Sequence, residues 1–331
     1  MNGHDSDALA AFTDVSARIG ANPLLTQAAG GNSSIKIAGV MWIKASGQWL
    51  VDARQHNIMV PVALEALRAA HKAGEDVENT ARFIVGTSSM RPSIETAMHA
   101  VMPQTVVIHV HSVETIAVAV RQDAIALLTQ KLQGLDWAFI PYVRPGQRLA
   151  DAIAAQPGHD IYILGNHGLT VGAATAAAAE ALVLQVHQRL AGYLRDVIMP
   201  DQATLARLSA GTAYQPAPTD ISTLATDPAS LRVARAGSLY PDHVIFLGCG
   251  VAEQLDQQAP LVLLPGHGAL LKRGSIPAII AMSCCLADVA RRLPPDAKLQ
   301  ALTQDDEAAL LGWDSETYRQ TLQRVGQSGP G

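Results

Sequence analysis

The chain has 331 residues, of which 49% are hydrophobic and 16% charged, and its formal net charge is -5. This composition predicts a globular protein with a buried core and argues against a disordered chain. The acidic balance and the lack of a basic stripe argue against nucleic acid or an anionic membrane as a partner. No apolar run reaches membrane-spanning length, and the N-terminal segment lacks the regions of a signal peptide.

Three cysteines stand at Cys249, Cys284 and Cys285, and no two of them have the CxxC spacing of a zinc or redox site. Small secreted proteins usually carry an even number of cysteines at disulfide spacings. The odd number therefore predicts reduced thiols in a protein of the cytoplasm.

The first 196 residues alternate predicted helices and strands. Apolar residues at helical spacing predict a helix over 6–20, and alternating residues after turns predict strands in AAGGNSSIKI and MWIKASG. A proline-started helix with Glu95 in its first turns precedes the β-branched strand TVVIHVH. Further helices are predicted over 61–74, 113–132 and 148–155 and up to about residue 196, and further strands in IPYVRPG and DIYILGNHGLTVG.

The composition changes after residue 200, where PDQATLARLSAGTAYQPAPTD predicts a linker or an irregular crossing segment. Beyond it, DHVIFLG and APLVLLPGHGALL predict strands, and 275–293 and 304–325 predict helices. His243 and His267 in this part are interpreted as structural turn residues. The predicted domains are residues 1–205, which carry the candidate chemistry, and a C-terminal extension, 206–331, of unknown role.

His109 and His111 lie two residues apart in TVVIHVH, so their side chains point to the same face of the predicted strand. Two imidazoles placed in this way can bind zinc or a similar divalent ion. The alternative is a pair of core histidines bonded to the backbone. The apolar neighbours favour a metal, because buried imidazoles are costly without partners.

Two further residues are candidates for the same site. His167 lies in LGNHGL, a turn whose glycines permit a sharp bend and project the imidazole beyond the strand ends. Glu95 follows a Pro-Ser pair near a helix start, where an anion is favoured. A structural histidine and a plain helix-start carboxylate are the alternatives. His99, one helical turn after Glu95, is expected to orient a neighbour.

The turns GGNSS and ASG have the composition of an anion cradle, because glycine, serine and asparagine present backbone N–H groups and hydroxyls. The same residues are ordinary in turns without a ligand. Taken alone, the two turns leave both interpretations open.

In chain order, GGNSSIKI, WIKASG, RPSIETAMH, VIHVHS, IPYVRPG and LGNHGL resemble the class II aldolase/adducin family, which includes fuculose-phosphate and rhamnulose-phosphate aldolases. The matching stretches span about residues 28–172, and flanking helices extend the likeness to about residue 196. RPSIET and LYPDHVIFLG look most like the aldolase part of bifunctional rhamnulose-phosphate aldolase/dehydrogenase proteins. The dehydrogenase part is not expected, because no GxGxxG follows a predicted strand.

The resemblance implies a three-layer α/β/α fold around a mixed, mostly antiparallel sheet, with the C-terminal extension added. It implies that Zn²⁺ or another divalent transition metal is bound by His109, His111 and His167. It implies an acid/base role for Glu95. It also implies a phosphate cradle, which falls on Gly31, Asn32, Ser46, Gly47 and Ser93.

Two departures from the family concern the cradle. Ser93-Ile94-Glu95 stands where the family's aldolases read Ser-Ser-Glu or Thr-Ser-Glu, so one hydroxyl is lost. Lys44 stands where they carry a neutral polar residue, and its charge is a candidate for binding the anion instead. The expected substrate is therefore a sugar or a sugar phosphate.

The implied activity is zinc-dependent aldol cleavage of a ketose or ketose phosphate through a metal-stabilised enediolate. The first alternative is decarboxylation of a sugar-acid phosphate or related acid through a similar metal-stabilised enolate. The second is a non-enzymatic adducin-like module, against which the intact three histidines and Glu95 argue. The resemblance also implies a homo-oligomer, expected as a homotetramer.

Overall fold

The computed structural model of the protein describes residues 3–255 and 258–325, which form two compact units. The first unit comprises the chain up to Ser112 together with Thr129–Arg189. The second comprises Val113–Leu128 and the chain from Leu190 onward. The domain boundary between residues 205 and 206 stays a prediction of the sequence.

The described residues form ten strands and fourteen α-helices. The strands are β1 Asn32–Ile37, β2 Val40–Lys44, β3 Met59–Ala63, β4 Val106–Val110, β5 Trp137–Ile140, β6 Ile161–Leu164, β7 Gly168–Ala173, β8 Tyr214–Pro216, β9 Leu261–Leu264 and β10 Gly268–Lys272. The helices are α1 Gly3–Gly20, α2 Leu64–Lys72, α3 Thr96–Val101, α4 Val113–Ala119, α5 Ala124–Lys131, α6 Gln147–Ala154, α7 Ala176–Leu190, α8 Gln202–Ser209, α9 Thr219–Thr226, α10 Pro228–Ala234, α11 Pro241–Leu247, α12 Pro277–Arg292, α13 Gln304–Leu311 and α14 Asp314–Val325.

The first unit is built on a seven-stranded sheet with the order β3-β2-β1-β4-β7-β6-β5. Neighbouring strands are antiparallel except β5 and β6, which are parallel. Buried side chains of α2, α3 and α6 share one hydrophobic core with the sheet. On the opposite face, Ser16 of α1 lies 2.8 Å from Ser33 of β1, and Arg18 pairs with Glu180 of α7. The predicted α/β/α fold with a mixed, mostly antiparallel sheet is confirmed.

The strand register brings three distant segments to one edge of this sheet. Asn32 at the start of β1 is paired with His109 near the end of β4, which is paired in turn with Thr170 of β7. The β6–β7 turn is closed by the pairing of Leu164 with Gly168. This edge therefore holds both strand ends and the turn that the sequence singled out.

Several predicted elements differ from those observed. The helix predicted over 61–74 begins at Leu64, because the preceding residues pair with β2 as the strand β3. Glu95 does not lie within a helix but is the N-cap of α3, which begins at Thr96. The helices predicted over 113–132 and 304–325 are each two helices, and the one predicted to reach residue 196 ends at Leu190.

The largest errors concern the second unit. The segment predicted as an irregular linker forms α8, β8, α9 and part of α10, and the Asp201 and Asp227 side chains cap α8 and α10. The DHVIFLG segment, predicted as a strand, belongs to α11, which starts at Pro241. All seven residues of α11 are buried, so no helical alternation of polar and apolar residues marked it.

The second unit contains a three-stranded sheet with the order β8-β10-β9 and the additional C-terminal helices. His267 lies in the exposed turn between β9 and β10, and His243 is buried with Nε2 2.9 Å from Gly250 O. Both are turn or backbone-bonded histidines, as the sequence suggested. Cys249, Cys284 and Cys285 are not joined in disulfides. Among the described helices, none has the length and apolarity needed to cross a bilayer.

Gly168 provides a test of the site's scaffold. A Cβ at this residue would lie 2.4 Å from Val110 O and 3.3 Å from His111 Cα. We expect Gly168→Ala to lower the free energy of unfolding by about 1–3 kcal/mol, as overpacking usually does. Denaturant titration measures this loss. Because the β6–β7 turn must move away from β4, retention of a divalent ion should also fall.

Gly192→Ala is the matched control, since a Cβ there would meet nothing within 4 Å. Its unfolding free energy should stay within about 0.5 kcal/mol of wild type. Equal stability of the two variants would contradict the close approach of the turn to β4.

Candidate metal centre

Three buried imidazoles converge at the sheet edge. His109 is on β4, His111 follows the last residue of that strand, and His167 is in the β6–β7 turn. Their nitrogen atoms that could bind a metal all lie within 4.8 Å of one another. The ring centroids are 4.8–5.1 Å apart, and every ring is steeply inclined to the other two. The structure therefore brings together the three histidines that the sequence selected.

The hydrogen bonds of His109 define its tautomer. Its Nδ1 is 3.0 Å from Leu169 O and 3.0 Å from Thr170 Oγ1. A carbonyl oxygen only accepts, so Nδ1 carries a proton and donates it to Leu169 O. In the neutral ring the lone pair is then on Nε2, which is the nitrogen near His167 and Glu95. Backbone contacts of this kind commonly orient a metal-binding histidine.

Glu95 places its carboxylate against the same cluster. Oε2 lies 3.5 Å from His109 Nε2, and Oε1 lies 3.5 Å from His167 Nε2. Asn32 Nδ2 donates to Oε2 at 2.7 Å, whereas Oε1 accepts no hydrogen bond from the described residues. Burial alone would raise the pKa of Glu95, but positive charge at the imidazoles and the Asn32 amide lower it to about 2. The carboxyl group is therefore ionised at neutral pH.

These donors fit a divalent cation. A lone pair on His109 Nε2 and an ionised oxygen of Glu95, 3.5 Å apart and buried, repel each other unless a cation lies close to both. Neutral imidazole nitrogens are the preferred ligands of zinc and related ions. Among the described residues, these histidines are the one group of three or more potential ligands that converge in this way.

The predicted cradle residues also come together. Ala45 bridges Pro92, so the turn with Ser46 and Gly47 lies beside the segment that leads to Glu95. Ser46 N donates to Arg91 O, and Ser93 N donates to Lys44 O. Gly31 adopts φ +69°, and a Cβ there would lie 2.9 Å from His109 O. Whether these turns bind an anion stays a prediction.

Two cradle candidates have local partners that sequence reasoning did not foresee. Lys44 is 2% exposed, and its ammonium donates to Ala29 O and Gln48 O at 2.8 and 2.7 Å. It thus joins the two cradle turns through their carbonyls. Ser93 Oγ accepts from Glu95 N at 3.3 Å and helps to shape the start of α3. Direct binding of substrate by Lys44 and Ser93 stays a prediction.

The bond from Asn32 to Glu95 was also missed. The sequence placed Asn32 only in the cradle, but its side chain touches both Glu95 and His99. One signal was present: Asn32, Ser34 and Lys36 alternate with apolar or small residues on β1, which puts three polar side chains on one face. Nothing in the local sequence identifies their partners on α3.

The fold and the site together define a class of protein: an α/β/α domain with a buried three-histidine metal centre beside an ionised glutamate. The family model described as Class II Aldolase and Adducin N-terminal domain matches residues 13–194, which is more than half of the chain. The protein belongs to this family.

One curated relative is the uncharacterized oxidoreductase YuxG of Bacillus subtilis, which is 26% identical over 220 residues. The match covers 61% of this chain but 31% of the relative. The chain thus spans about a third of the length of the curated relative that it matches.

Solved structures with similarity to the chain include three with related descriptions. The N-terminal class II aldolase domain of a conserved Thermoplasma acidophilum protein is 24% identical, with a TM-score of 0.46 over 54% of this chain and 89% of that one. YgbL of Klebsiella pneumoniae, a putative aldolase/epimerase/decarboxylase, is 20% identical, with a TM-score of 0.41 over 56% and 87%. L-fuculose-1-phosphate aldolase of Thermus thermophilus is 18% identical, with a TM-score of 0.39 over 56% and 91%.

Loss of a single imidazole should empty the centre. We expect His109→Ala and His111→Ala each to lose most of the bound divalent ion after dialysis, because two remaining nitrogens hold it weakly against buffer. Elemental analysis of protein reconstituted with Zn²⁺ measures the content. His159→Ala is the control, since His159 pairs with Asp136 outside the cluster. A full equivalent of metal in either test variant would show that the cluster is not the binding site.

Proposed function

We propose that the protein catalyses metal-dependent aldol cleavage of a ketose or ketose phosphate. The observation that carries the proposal is the position of Glu95, ionised and 3.5 Å from two imidazoles of a buried cluster that fits a divalent cation. The family to which the chain belongs supports an activity of this class. We propose Zn²⁺ as the metal because all three donors are imidazoles, with other divalent transition ions as candidates.

His109, His111 and His167 would hold the cation. When bound, the cation supplies Lewis acidity, which favours negative charge on the carbonyl and hydroxyl oxygens of a ketose. The Leu169 carbonyl keeps His109 in the tautomer whose Nε2 is able to coordinate. Asn32 holds Oε2 of Glu95, so Oε1 is the oxygen left to exchange a proton.

Aldol cleavage requires three coordinated changes in the substrate. The hydroxyl beside the scissile bond loses its proton and becomes the carbonyl of the released aldehyde. The electron pair of the carbon–carbon bond moves toward the ketose carbonyl and forms an enediolate. That carbon then regains a proton. Glu95 is ionised and can accept and return a proton, which is the role of a general acid/base.

Substrate screening separates this proposal from its alternatives. Metal-reconstituted protein is offered ketose phosphates, free ketoses and sugar-acid phosphates, and both aldehyde and CO₂ are measured. Aldehyde release supports the aldolase, whereas CO₂ release identifies a decarboxylase. A protein that binds no metal and turns over none of these compounds would match the adducin-like module. From the family resemblance we also propose a homotetramer, which light scattering tests.

Removing the charge of Glu95 should abolish proton transfer but keep the metal. Glu95→Gln preserves the shape and lets the amide oxygen accept from Asn32. We expect the kcat for ketose cleavage to fall by about 10²–10⁴-fold, as loss of a general acid/base usually does. Zinc content should stay near one equivalent, because the three imidazoles remain.

The control is Glu180→Gln, which removes the ion pair with Arg18 away from the imidazole cluster. Its kcat should equal that of wild type. If Glu95→Gln is active within a few-fold of wild type, Glu95 is not the acid/base residue.

The cradle is tested through Ser46 rather than Asn32, because loss of Asn32 would also disturb Glu95. If the substrate is phosphorylated, Ser46→Ala should raise its KM about 10- to 100-fold, since a hydrogen bond to a charged group contributes about 1.5–3 kcal/mol. The KM for the free sugar should change little. Thr13→Ala on α1 is the control, because its hydroxyl bonds Ala10 O within the same helix. Equal wild-type KM values for the two substrates would contradict a phosphate cradle.

A further inference from the structure

A row of polar side chains runs along one face of β1. Asn32, Ser34 and Lys36 alternate along the strand and therefore share this face, whereas Ser33 points to α1 on the other. Asn32 and Ser34 are 4% and 0% exposed. Buried polar groups are costly unless each is hydrogen-bonded, so the partners of this row are part of its design.

The partner of the first two residues is His99 of α3, which is fully buried. Its Nε2 is 2.5 Å from Asn32 Oδ1, and its Nδ1 is 2.8 Å from Ser34 Oγ. Burial lowers the pKa of His99 to about 3, so the ring is neutral. One nitrogen therefore donates and the other accepts.

The direction of each bond follows from the chemistry of the atoms. Asn32 Oδ1 can only accept, so His99 Nε2 carries the ring proton and donates it. His99 Nδ1 is then an acceptor, and the Ser34 hydroxyl donates to it. With Oδ1 turned toward His99, Asn32 Nδ2 faces Glu95 and donates to Oε2 at 2.7 Å.

The reverse arrangement is unfavourable at both ends of the Asn32 amide. A flipped amide would place Oδ1 against the ionised oxygen of Glu95, where two acceptors repel. It would also place Nδ2 against the Nε2–H of His99, where two donors meet. His99 in its other tautomer would remove the second conflict and weaken the preference for the observed orientation. Ser34 opposes that tautomer, because its hydroxyl is placed to donate to Nδ1.

We propose that His99 is a positioning residue for Glu95: by donating from Nε2 it fixes the amide of Asn32, which holds Oε2 and leaves Oε1 for proton transfer. The proposal rests on the proposed acid/base function of Glu95. His99 itself touches neither the three histidines' metal nor the substrate, and it acts through Asn32 alone.

A purely structural role is the competing explanation, because the row also fastens α3 to the sheet. At its far end, Lys36 Nζ donates to Gln104 O at 2.7 Å and also bonds Met102 O just after α3. Lys36→Met removes this attachment without touching Asn32. It should lower the melting temperature while leaving kcat within about three-fold of wild type, so it reports what loosening α3 does by itself.

Two substitutions of His99 separate positioning from packing. The amide nitrogen of glutamine reaches about as far as Nε2 of histidine, whereas that of asparagine corresponds to Nδ1. His99→Gln therefore keeps the donor to Asn32 Oδ1, and His99→Asn loses it. We expect His99→Asn to lower kcat about 10- to 100-fold, the usual cost of losing such an outer contact, with KM and zinc content within about two-fold of wild type. His99→Gln should recover most of that loss.

Kinetics are measured with the ketose or ketose phosphate that wild type cleaves fastest. Equal kcat values for His99→Gln and His99→Asn, or a loss in both that matches Lys36→Met, would reduce His99 to a packing residue. If Glu95→Gln keeps its activity, the acid/base function fails while the arrangement of His99 and Asn32 can still be measured. If Glu95→Gln is inactive and His99→Asn is not, only the positioning proposal fails.

A second measurement needs neither folding of a variant nor turnover. In zinc-loaded wild-type protein labelled with ¹⁵N-histidine, the His99 ring should show a protonated Nε2 and an unprotonated Nδ1 between pH 6 and 9. The ring is recognised by signals that disappear in His99→Gln or, should that variant not fold, by sequential assignment. A protonated Nδ1 in this range would overturn the proposal, because Nε2 could not then donate to Asn32.

Discussion

The structure depends on keeping the carboxylate of Glu95 ionised while it is 3% exposed. Removing an ion of this size from water costs several kcal/mol unless compensating charge and hydrogen bonds surround it. Asn32 supplies an N–H to one oxygen, and the imidazole cluster lies 3.5 Å from both oxygens. A cation held by the imidazoles would complete this compensation. The site and the local fold are therefore two aspects of one electrostatic requirement.

That requirement explains the close backbone approaches at the sheet edge. The ring nitrogens converge only if the ends of β1, β4 and the β6–β7 turn come near one another. Gly168 and Gly31 are the points of closest approach, where any Cβ would collide with the backbone of Val110 or His109. At these two positions glycine is needed for space, and at Gly31 also for its positive φ. Small residues beside the histidines are thus a geometric condition of the site.

The sequence predicted the parts of the site that local chemistry specifies. Alternation in VVIHVH placed His109 and His111 on one face, and the turn residues around His167 located the third imidazole. It did not predict that Asn32 bonds Glu95, which is 63 residues away, because such a pairing depends on strand register. The same limit explains α11: an apolar run buried on every side has no periodicity that separates helix from strand.

The second unit shows why a local motif is not itself a site. Its β9–β10 hairpin repeats the design of β6–β7: His267 N donates to Leu264 O just as His167 N donates to Leu164 O. Both turns end in His-Gly, and both close with a pairing to that glycine. His267 nevertheless is exposed, whereas His167 is 4% exposed beside two other imidazoles. The turn fixes only the direction of a histidine. A neighbouring strand that carries two more histidines, and a helix that starts at a glutamate, turn that direction into chemistry.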